Sequence, residues 1–150
     1  MNPLLIVANT PSENTLAIRN AVQRGVMESN VPVTVKPALE TTASDVLSCS
    51  GIIIGTTENF GYMSGQIKDF FERIYYPCLE NTEALPWALY VKAGLDGTGA
   101  KRSVEKIVTG LKWRAVQEPL LLHGVFRESF TTDCEALGAG MAEGLKLGIF

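Results

Sequence analysis

Residues 51–76 read GIIIGTTENFGYMSGQIKDFFERIYY and contain a strand, a loop and a helix in that order. Gly51–Gly55 is a short unbroken apolar run, which is typical of a strand buried on both faces of a parallel sheet. The apolar residues of the following helix recur at i, i+3, i+4 and i+7: they are Ile67, Phe70, Phe71 and Ile74. A strand followed by an amphipathic helix is the unit from which α/β folds are built.

The same alternation of apolar runs and helical periodicities extends over the whole chain. The predicted strands are Leu4–Ala8, Val31–Val35, Gly51–Gly55, Pro86–Ala93 and Glu118–His123. A short helix is predicted to begin at Thr42 with Asp45, and Thr132 with Glu135 is predicted to cap the last helix. Because each connection contains a helix, the pattern predicts an α/β fold with a parallel sheet, formed by residues 1–150 as one domain.

Composition excludes several classes of protein. The chain has 150 residues, of which 46% are apolar and 19% charged, and its net charge of -3 gives no reason to expect nucleic-acid binding. The start, MNPLLIVANTPSE, lacks the basic flank of a signal peptide, and no apolar run approaches the roughly 20 residues of a membrane span. We therefore expect a soluble, cytoplasmic protein.

The residues that most often do chemistry are scarce. The three cysteines, Cys49, Cys78 and Cys134, do not stand at metal-ligand spacing, so we expect buried free thiols and no metal site. The single histidine, His123, is predicted to lie at a strand end and has no Ser or Cys partner for a catalytic triad.

Three loops follow predicted strands and are rich in glycine or small polar residues. They are NTPSENT (9–15), TTENFGYMSG (56–65) and GLDGTGA (94–100). In an open parallel sheet, ligands bind beyond the carboxyl ends of the strands, where these loops would lie. The chain has no GxxxxGK[ST] loop and no GxGxxG after the first strand, which argues against a nucleotide triphosphatase and a dinucleotide-binding domain.

The first loop has two interpretations that remain open. As a helix cap, Thr10 would be the N-cap, Pro11 the first helical residue and Glu13 the partner in a capping box. As a phosphate site, the unpaired N–H groups of the helix would hold an anion. Further donors would come from Thr10, Ser12, Asn14 and Thr15. Glu13 would repel a phosphate unless its side chain points to solvent.

The second loop combines polar donors, glycines and aromatic rings. Thr56, Thr57 and Asn59 offer donors, and glycines at 61 and 65 allow the backbone to approach a ligand closely. Phe60 and Tyr62 either present flat faces to a planar ring or pack the loop onto the protein.

Two of these loops resemble motifs of a known family. TTENFGYMSGQIKDFFERI resembles the flavin loop and following helix of flavodoxin-like proteins, including quinone and FMN reductases; the matching residues are Met63, Ser64, Gly65, Lys68, Phe70, Glu72 and Arg73. NTPSENT is similar to the flavodoxin phosphate loop T-x-[ST]-x-[NT]-T at Thr10, Ser12, Asn14 and Thr15. The resemblance implies a three-layer, doubly wound fold with a five-stranded parallel sheet of order 2-1-3-4-5.

The resemblance also implies FMN as cofactor. Its phosphate would lie on the backbone of residues 11–15, its ring edge on the second loop, and the third loop would close the other side. The implied contact residues are Thr10, Pro11, Ser12, Glu13, Asn14, Thr15, Thr57, Glu58, Asn59, Phe60, Gly61, Gly94, Gly97 and Gly99. The flavin carries the redox chemistry, so no catalytic acid or base is required.

Departures from the family pattern shape the expected function. Pro11 and Glu13 replace the usual glycines of the phosphate loop, the third loop lacks an aromatic residue, and the net charge is milder than that of carrier flavodoxins. We therefore expect an NAD(P)H-dependent reductase of quinones or flavins, with a redox partner protein and homo-oligomerisation as further possibilities. A non-enzymatic electron carrier and a binding module that has lost flavin remain alternatives, and Glu13 supports the latter.

A group of cations surrounds the fourth predicted helix. Its members are Lys101, Arg102, Lys106, Lys112 and Arg114. We expect a solvated helix face, and the alternative is a site for the phosphate of NADPH.

Overall fold

The computed structural model describes residues 1–150 and contains one sheet with helices on both faces. The strands are β1 (Leu4–Ala8), β2 (Val33–Pro37), β3 (Gly51–Asn59), β4 (Tyr62–Met63), β5 (Pro86–Ala93), β6 (Arg114–Ala115) and β7 (Leu120–His123). The helices are α1 (Glu13–Met27), α2 (Ala43–Leu47), α3 (Gly65–Cys78), α4 (Thr98–Leu111) and α5 (Glu128–Lys146), with a 3-10 turn at Ala38–Glu40. No helix is both long enough and apolar enough to cross a bilayer.

The strand order agrees with the prediction. The parallel strands follow the order β2-β1-β3-β5, and both β6 and β7 pair with the outer edge of β5. Two short strands, separated by residues 116–119, thus occupy this edge of the sheet, and only β7 falls within the predicted strand Glu118–His123. In this gap a single backbone hydrogen bond reaches β5, from the Val116 N–H to the Trp87 oxygen at 3.2 Å. Pro119 has no N–H to donate, so pairing resumes at Leu120 rather than at the predicted Glu118.

The third strand is longer than its apolar run. It continues through Thr56–Asn59, which the sequence placed in a loop, and pairs with β4 in an antiparallel hairpin. The two residues of the turn, Phe60 and Gly61, both have positive φ (54° and 69°). This backbone matches a two-residue hairpin turn that twists with its strands, and it requires left-handed conformations at both positions.

Each face of the sheet covers its own core. Ile52 and Ile54 point to the side of α3 and α4, whereas Ile53 points to the side of α1 and α5. The helices of the second side touch through their backbones, since a Cβ at Gly25 of α1 would lie 2.0 Å from the Glu135 oxygen of α5. The alternation along β3 therefore matches a central strand buried on both faces.

Two of the predicted helix starts are wrong and one is confirmed. The N-cap of α1 is Ser12 rather than Thr10, and α5 begins at Glu128, one turn before the predicted cap at Thr132. The short helix α2 has the predicted capping box, with Thr42 and Asp45 bonding reciprocally. The three cysteines are free and buried, as expected.

Candidate functional site at the carboxyl edge of the sheet

Hydrogen bonds from one side chain tie the first loop to the second. Asn9 follows β1 directly and is almost completely buried. Its amide nitrogen donates to the Thr57 hydroxyl at 3.1 Å, and its oxygen accepts from the Thr57 N–H at 3.2 Å. Asn9 was not among the predicted site residues, although an asparagine placed immediately after a buried strand was a signal for such a role. These two hydrogen bonds fix Thr57 beside the start of the first loop.

The N-terminus of α1 has a complete cap. The Ser12 N–H donates to the Thr15 hydroxyl at 2.9 Å, and the Thr15 N–H donates to the Ser12 hydroxyl at 3.2 Å. Pro11 has no N–H, so of the predicted backbone donors only those of Glu13 and Asn14 remain without an acceptor. The helix does begin with a capping box, as one interpretation of the sequence held, but its residues are Ser12 and Thr15 instead of Thr10 and Glu13. The cap leaves two adjacent N–H groups free at the positive end of the helix dipole.

Glu13 does not obstruct these two donors through any contact in the structure. Its side chain is exposed and takes part in no salt bridge or side-chain hydrogen bond. Asn14 is also exposed, and Thr10 is half-buried. The condition under which an anion can approach this helix end, a glutamate free to turn to solvent, is met.

The second loop presents an exposed aromatic ring at its tip. Phe60 is fully exposed and occupies the left-handed turn, so the interpretation that it packs the loop down is wrong. Tyr62 is 42% exposed, and the Lys68 ammonium lies 5.9 Å from the centroid of its ring. Asn59 is exposed and Thr57 is half-buried. The hairpin therefore offers one free ring, Phe60, beside its polar residues.

The third loop is shaped by Asp96 and two glycines. The Asp96 carboxylate accepts from the N–H and the hydroxyl of Thr98, at 3.1 and 3.0 Å, and these hydrogen bonds lower the pKa of Asp96. Gly97, with φ of 79°, is the N-cap of α4, and Gly94 is exposed with open space around its Cα. Asp96 was not predicted as a site residue, although an aspartate two residues before a threonine at a helix start indicates this turn.

The second and third loops meet directly. The Glu58 carboxylate accepts from the Ala100 N–H at 3.0 Å, and the Met63 N–H donates to the Ser103 hydroxyl at 3.1 Å. A Cβ at Gly99 would lie 2.0 Å from the Gly61 oxygen, so only glycine permits this approach. Through these contacts and those of Asn9, the structure brings all three predicted loops to one edge of the sheet.

Two cavities lie away from the three loops. One of about 580 Å³ lies where the edge strand is interrupted and is lined by Trp87, Ala88, Leu89, Lys101, Glu105 and residues 115–119. A second, of about 300 Å³, lies between α3 and α4 beside Tyr75 and Tyr76. Neither touches the three loops, so a ligand at the loops would lie on an open edge. The loops remain the candidate site, because free N–H groups and glycines in close contact with neighbouring backbone converge there.

The cations around α4 do not form one cluster. Lys101 is 3.3 Å from the Glu105 carboxylate, and Arg102 and Lys106 are exposed on the helix. Lys112 is the residue after the helix end, and Arg114 belongs to β6. This arrangement agrees with the solvated face that the sequence predicted.

Solved structures with the same arrangement of strands and helices include a flavodoxin from the domain Archaea. Its TM-score is 0.83 at 19% sequence identity, over 96% of this chain and 99% of that one. This chain has the flavodoxin fold. A WrbA-like flavodoxin from Agrobacterium tumefaciens aligns with a TM-score of 0.81 at 14% identity, over 98% and 99% of the two chains.

The same fold occurs as part of larger proteins. The Flv1 flavodiiron core from Synechocystis sp. PCC6803 aligns with a TM-score of 0.82 at 17% identity, over 98% of this chain but only 36% of that one. No family model matches the chain, and no curated protein sequence matches it. At identities this low, structural likeness shows the fold alone. The predicted resemblance to flavodoxin-like proteins is thus confirmed in its fold.

Proposed function

We propose that this chain is a flavodoxin-like redox protein that binds FMN on the three loops at the carboxyl edge of its sheet. The observation that carries the proposal is the convergence of the α1 N-terminus with the two glycine-containing loops, tied together by Asn9 and Glu58. Ligands of open α/β sheets bind at this edge, where the strand order reverses. Proteins described as flavodoxins and WrbA-like flavodoxins share the fold.

The donors at the start of α1 fit a phosphate group. The N–H groups of Glu13 and Asn14 are adjacent and have no acceptor, and α1 is 15 residues long. A helix of this length carries about half a positive charge at its N-terminus. The hydroxyls of Thr10 and Ser12 stand beside these groups in the chain. Together they supply the backbone and hydroxyl donors that bind phosphate at helix starts.

The other two loops fit a planar ring. The backbone of Thr57–Gly61 would meet one edge of the ring, and the loop Gly94–Gly99 would close the other side. When bound, FMN would supply the redox chemistry, while the protein supplies position and electrostatics. The fully exposed Phe60 can lie against a ring face without displacing any neighbour from the core.

The shape of the third loop supports a reductase more than a carrier. Its tip residue Leu95 is exposed, and no aromatic side chain stands between Gly94 and Gly99 to cover a ring. An uncovered ring face leaves room for NAD(P)H or for a quinone. On this proposal the reductant is NAD(P)H and the acceptor is a quinone or a second flavin. A non-enzymatic carrier would bind FMN equally well but would not oxidise NAD(P)H.

The completed cap of α1 favours a second candidate, a flavodoxin-fold binding module without flavin. Ser12 and Thr15 satisfy one another, and the two cavities described above do not touch the loops. In such a module the α1 N-terminus would serve folding only, and Glu13 would keep anions away.

The first test is the visible absorption spectrum of the purified chain, recorded before and after addition of FMN and desalting. A retained flavin spectrum supports the proposal, and NAD(P)H oxidation with a quinone then separates the reductase from the carrier. If no flavin is retained and titration with FMN shows no binding, the redox proposal is wrong and the binding module is favoured.

A matched pair of variants tests the phosphate site itself. Glu13→Pro removes one free N–H, and it suits the structure because proline is accepted at the first helical position and Ser12 already has an extended backbone (φ -142°, ψ 166°). Glu13→Gln removes the charge but keeps the N–H. We expect the proline variant to bind FMN about tenfold or more weakly than the glutamine variant, as for loss of a hydrogen bond to a charged group. Equal affinities would place the phosphate elsewhere.

A further inference from the structure

Glu58, one of the residues predicted to contact FMN, already has a partner in the protein. Its Oε2 accepts a hydrogen bond from the Ala100 N–H at 3.0 Å, across 42 residues of sequence. Glu58 is half-buried, and Ala100 is completely buried. This contact joins the second loop to the first turn of α4.

The start of α4 has one local capping hydrogen bond, from the Thr98 N–H to the Asp96 carboxylate, and depends on the Glu58 carboxylate for the Ala100 N–H. Its N-cap is Gly97, which has no side chain to accept a hydrogen bond, and Asp96 is engaged by Thr98. The Ala100 N–H is therefore satisfied only by Glu58. A carboxylate is the most favourable partner here, because the helix dipole places partial positive charge at this end.

Two further contacts hold the hairpin, residues 58–63, on the same helix. The Met63 N–H donates to the Ser103 hydroxyl at 3.1 Å, one turn further along α4. The backbones of Gly61, in the turn of the hairpin, and Gly99, next to Ala100, are also in direct contact. The hairpin is thus attached to α4 at both of its strands.

We propose that Glu58 is a positioning residue that fixes the hairpin against α4 and so sets the separation of the second and third loops. This inference rests on the proposed function in one respect: those loops are the two sides of the proposed flavin site. The competing role is that of a direct ligand of the flavin. The two roles predict different effects of a substitution at Ser103, which holds the hairpin through Met63 and is not one of the proposed flavin contacts.

Hydrogen exchange of the Ala100 amide in the flavin-free chain tests the attachment itself. Glu58→Ala is expected to accelerate this exchange at least about tenfold, since the amide loses its only acceptor, and Glu58→Gln is expected to have a smaller effect. The matched control is Thr109→Ala, which removes a hydroxyl bonded to the Glu105 oxygen (2.7 Å) on the same helix, away from the hairpin. Unchanged exchange in Glu58→Ala would overturn the proposal.

Titration with FMN then separates positioning from direct contact. If Glu58 positions the hairpin, both Glu58→Ala and Ser103→Ala weaken FMN binding, by about fivefold each, as for loss of a helix cap. Thr109→Ala leaves the affinity unchanged. If Ser103→Ala behaves like Thr109→Ala while Glu58→Ala weakens binding, Glu58 acts as a ligand and the proposal is wrong.

The two experiments distinguish failure of this inference from failure of the proposed function. A wild-type chain that does not bind FMN refutes the proposed function and, with it, the flavin part of the inference. The attachment of the hairpin to α4 is decided by Ala100 exchange alone.

Discussion

A methyl group at Gly99 tests the contact between the two loops from the side of α4. A Cβ there would lie 2.0 Å from the Gly61 oxygen and 2.6 Å from its carbonyl carbon. Carbon and oxygen atoms that are not bonded do not approach this closely, so the hairpin has to move by at least about 1 Å. The neighbour is backbone and cannot rotate aside as a side chain would.

This displacement reaches both hydrogen bonds that hold the hairpin. The Glu58–Ala100 and Met63–Ser103 bonds, at 3.0 and 3.1 Å, would stretch beyond hydrogen-bond range. Loss of one neutral and one charged hydrogen bond costs about 2–4 kcal/mol, and replacing glycine by alanine in a helix returns about 1 kcal/mol. We expect Gly99→Ala to lower the free energy of unfolding by about 1–3 kcal/mol.

Equilibrium unfolding in urea measures this loss, and Gly65→Ala is the control. Gly65 also lies in the first turn of a helix next to the hairpin, but a Cβ there would meet nothing within 4 Å. Gly65→Ala is expected to be neutral or stabilising, whereas Gly99→Ala lowers the free energy of unfolding and weakens FMN binding as well. A Gly99→Ala protein as stable as the control would refute the contact between the loops.

Two further predictions concern the rest of the fold. Gly25→Ala should lower the free energy of unfolding by about 2 kcal/mol, because its Cβ would lie 2.0 Å from the Glu135 oxygen. The control is Gly140→Ala, whose Cβ meets only the flexible end of the Gln117 side chain and should not lower it. Equal midpoints of urea unfolding for the two variants would contradict this packing of α1 against α5. The free thiols should react with a disulfide reagent at neutral pH only when the chain unfolds. Burial raises the pKa from 9.0 to about 12 for Cys49, about 11 for Cys78 and about 12 for Cys134. Since only the unfolded thiols ionise near pH 9, their contribution to stability should be full below that pH and decline above it, and rapid labelling of the native chain would contradict their burial.

The parts of the fold that the sequence predicted correctly are those with a local cause. Apolar runs marked β1, β3 and β5, and a helical period marked α3, because burial on the sheet imposes these patterns directly. The extension of β3 through Thr56–Asn59 has no such pattern. It exists because Thr56 and Thr57 pair with the end of β5, while Glu58 and Asn59 pair with Met63 and Tyr62 across a tight turn. The predicted cap at Thr132 failed because the helix already begins at Glu128, and Phe130 in its first turn is buried in the core.

In the candidate site, too, the features with a local cause could be predicted and the long-range contacts could not. The three loops could be located, because each follows a strand and contains glycines or small polar residues. Their connections could not, because the partners of Asn9 and Glu58 lie 48 and 42 residues away in the sequence. These pairs depend on which strands are neighbours and in what register, information that no short motif contains.

The cap of α1 and the proposed phosphate site need not compete. The cap occupies the N–H groups of Ser12 and Thr15, while an anion needs those of Glu13 and Asn14, which the cap leaves free. On the proposed function, the phosphate therefore binds without breaking the bonds that start the helix. The cap also holds the first turn in place before the ligand arrives, so little conformational entropy is lost on binding. This reasoning requires that Glu13→Pro, which keeps the cap and removes one free donor, separates the two roles.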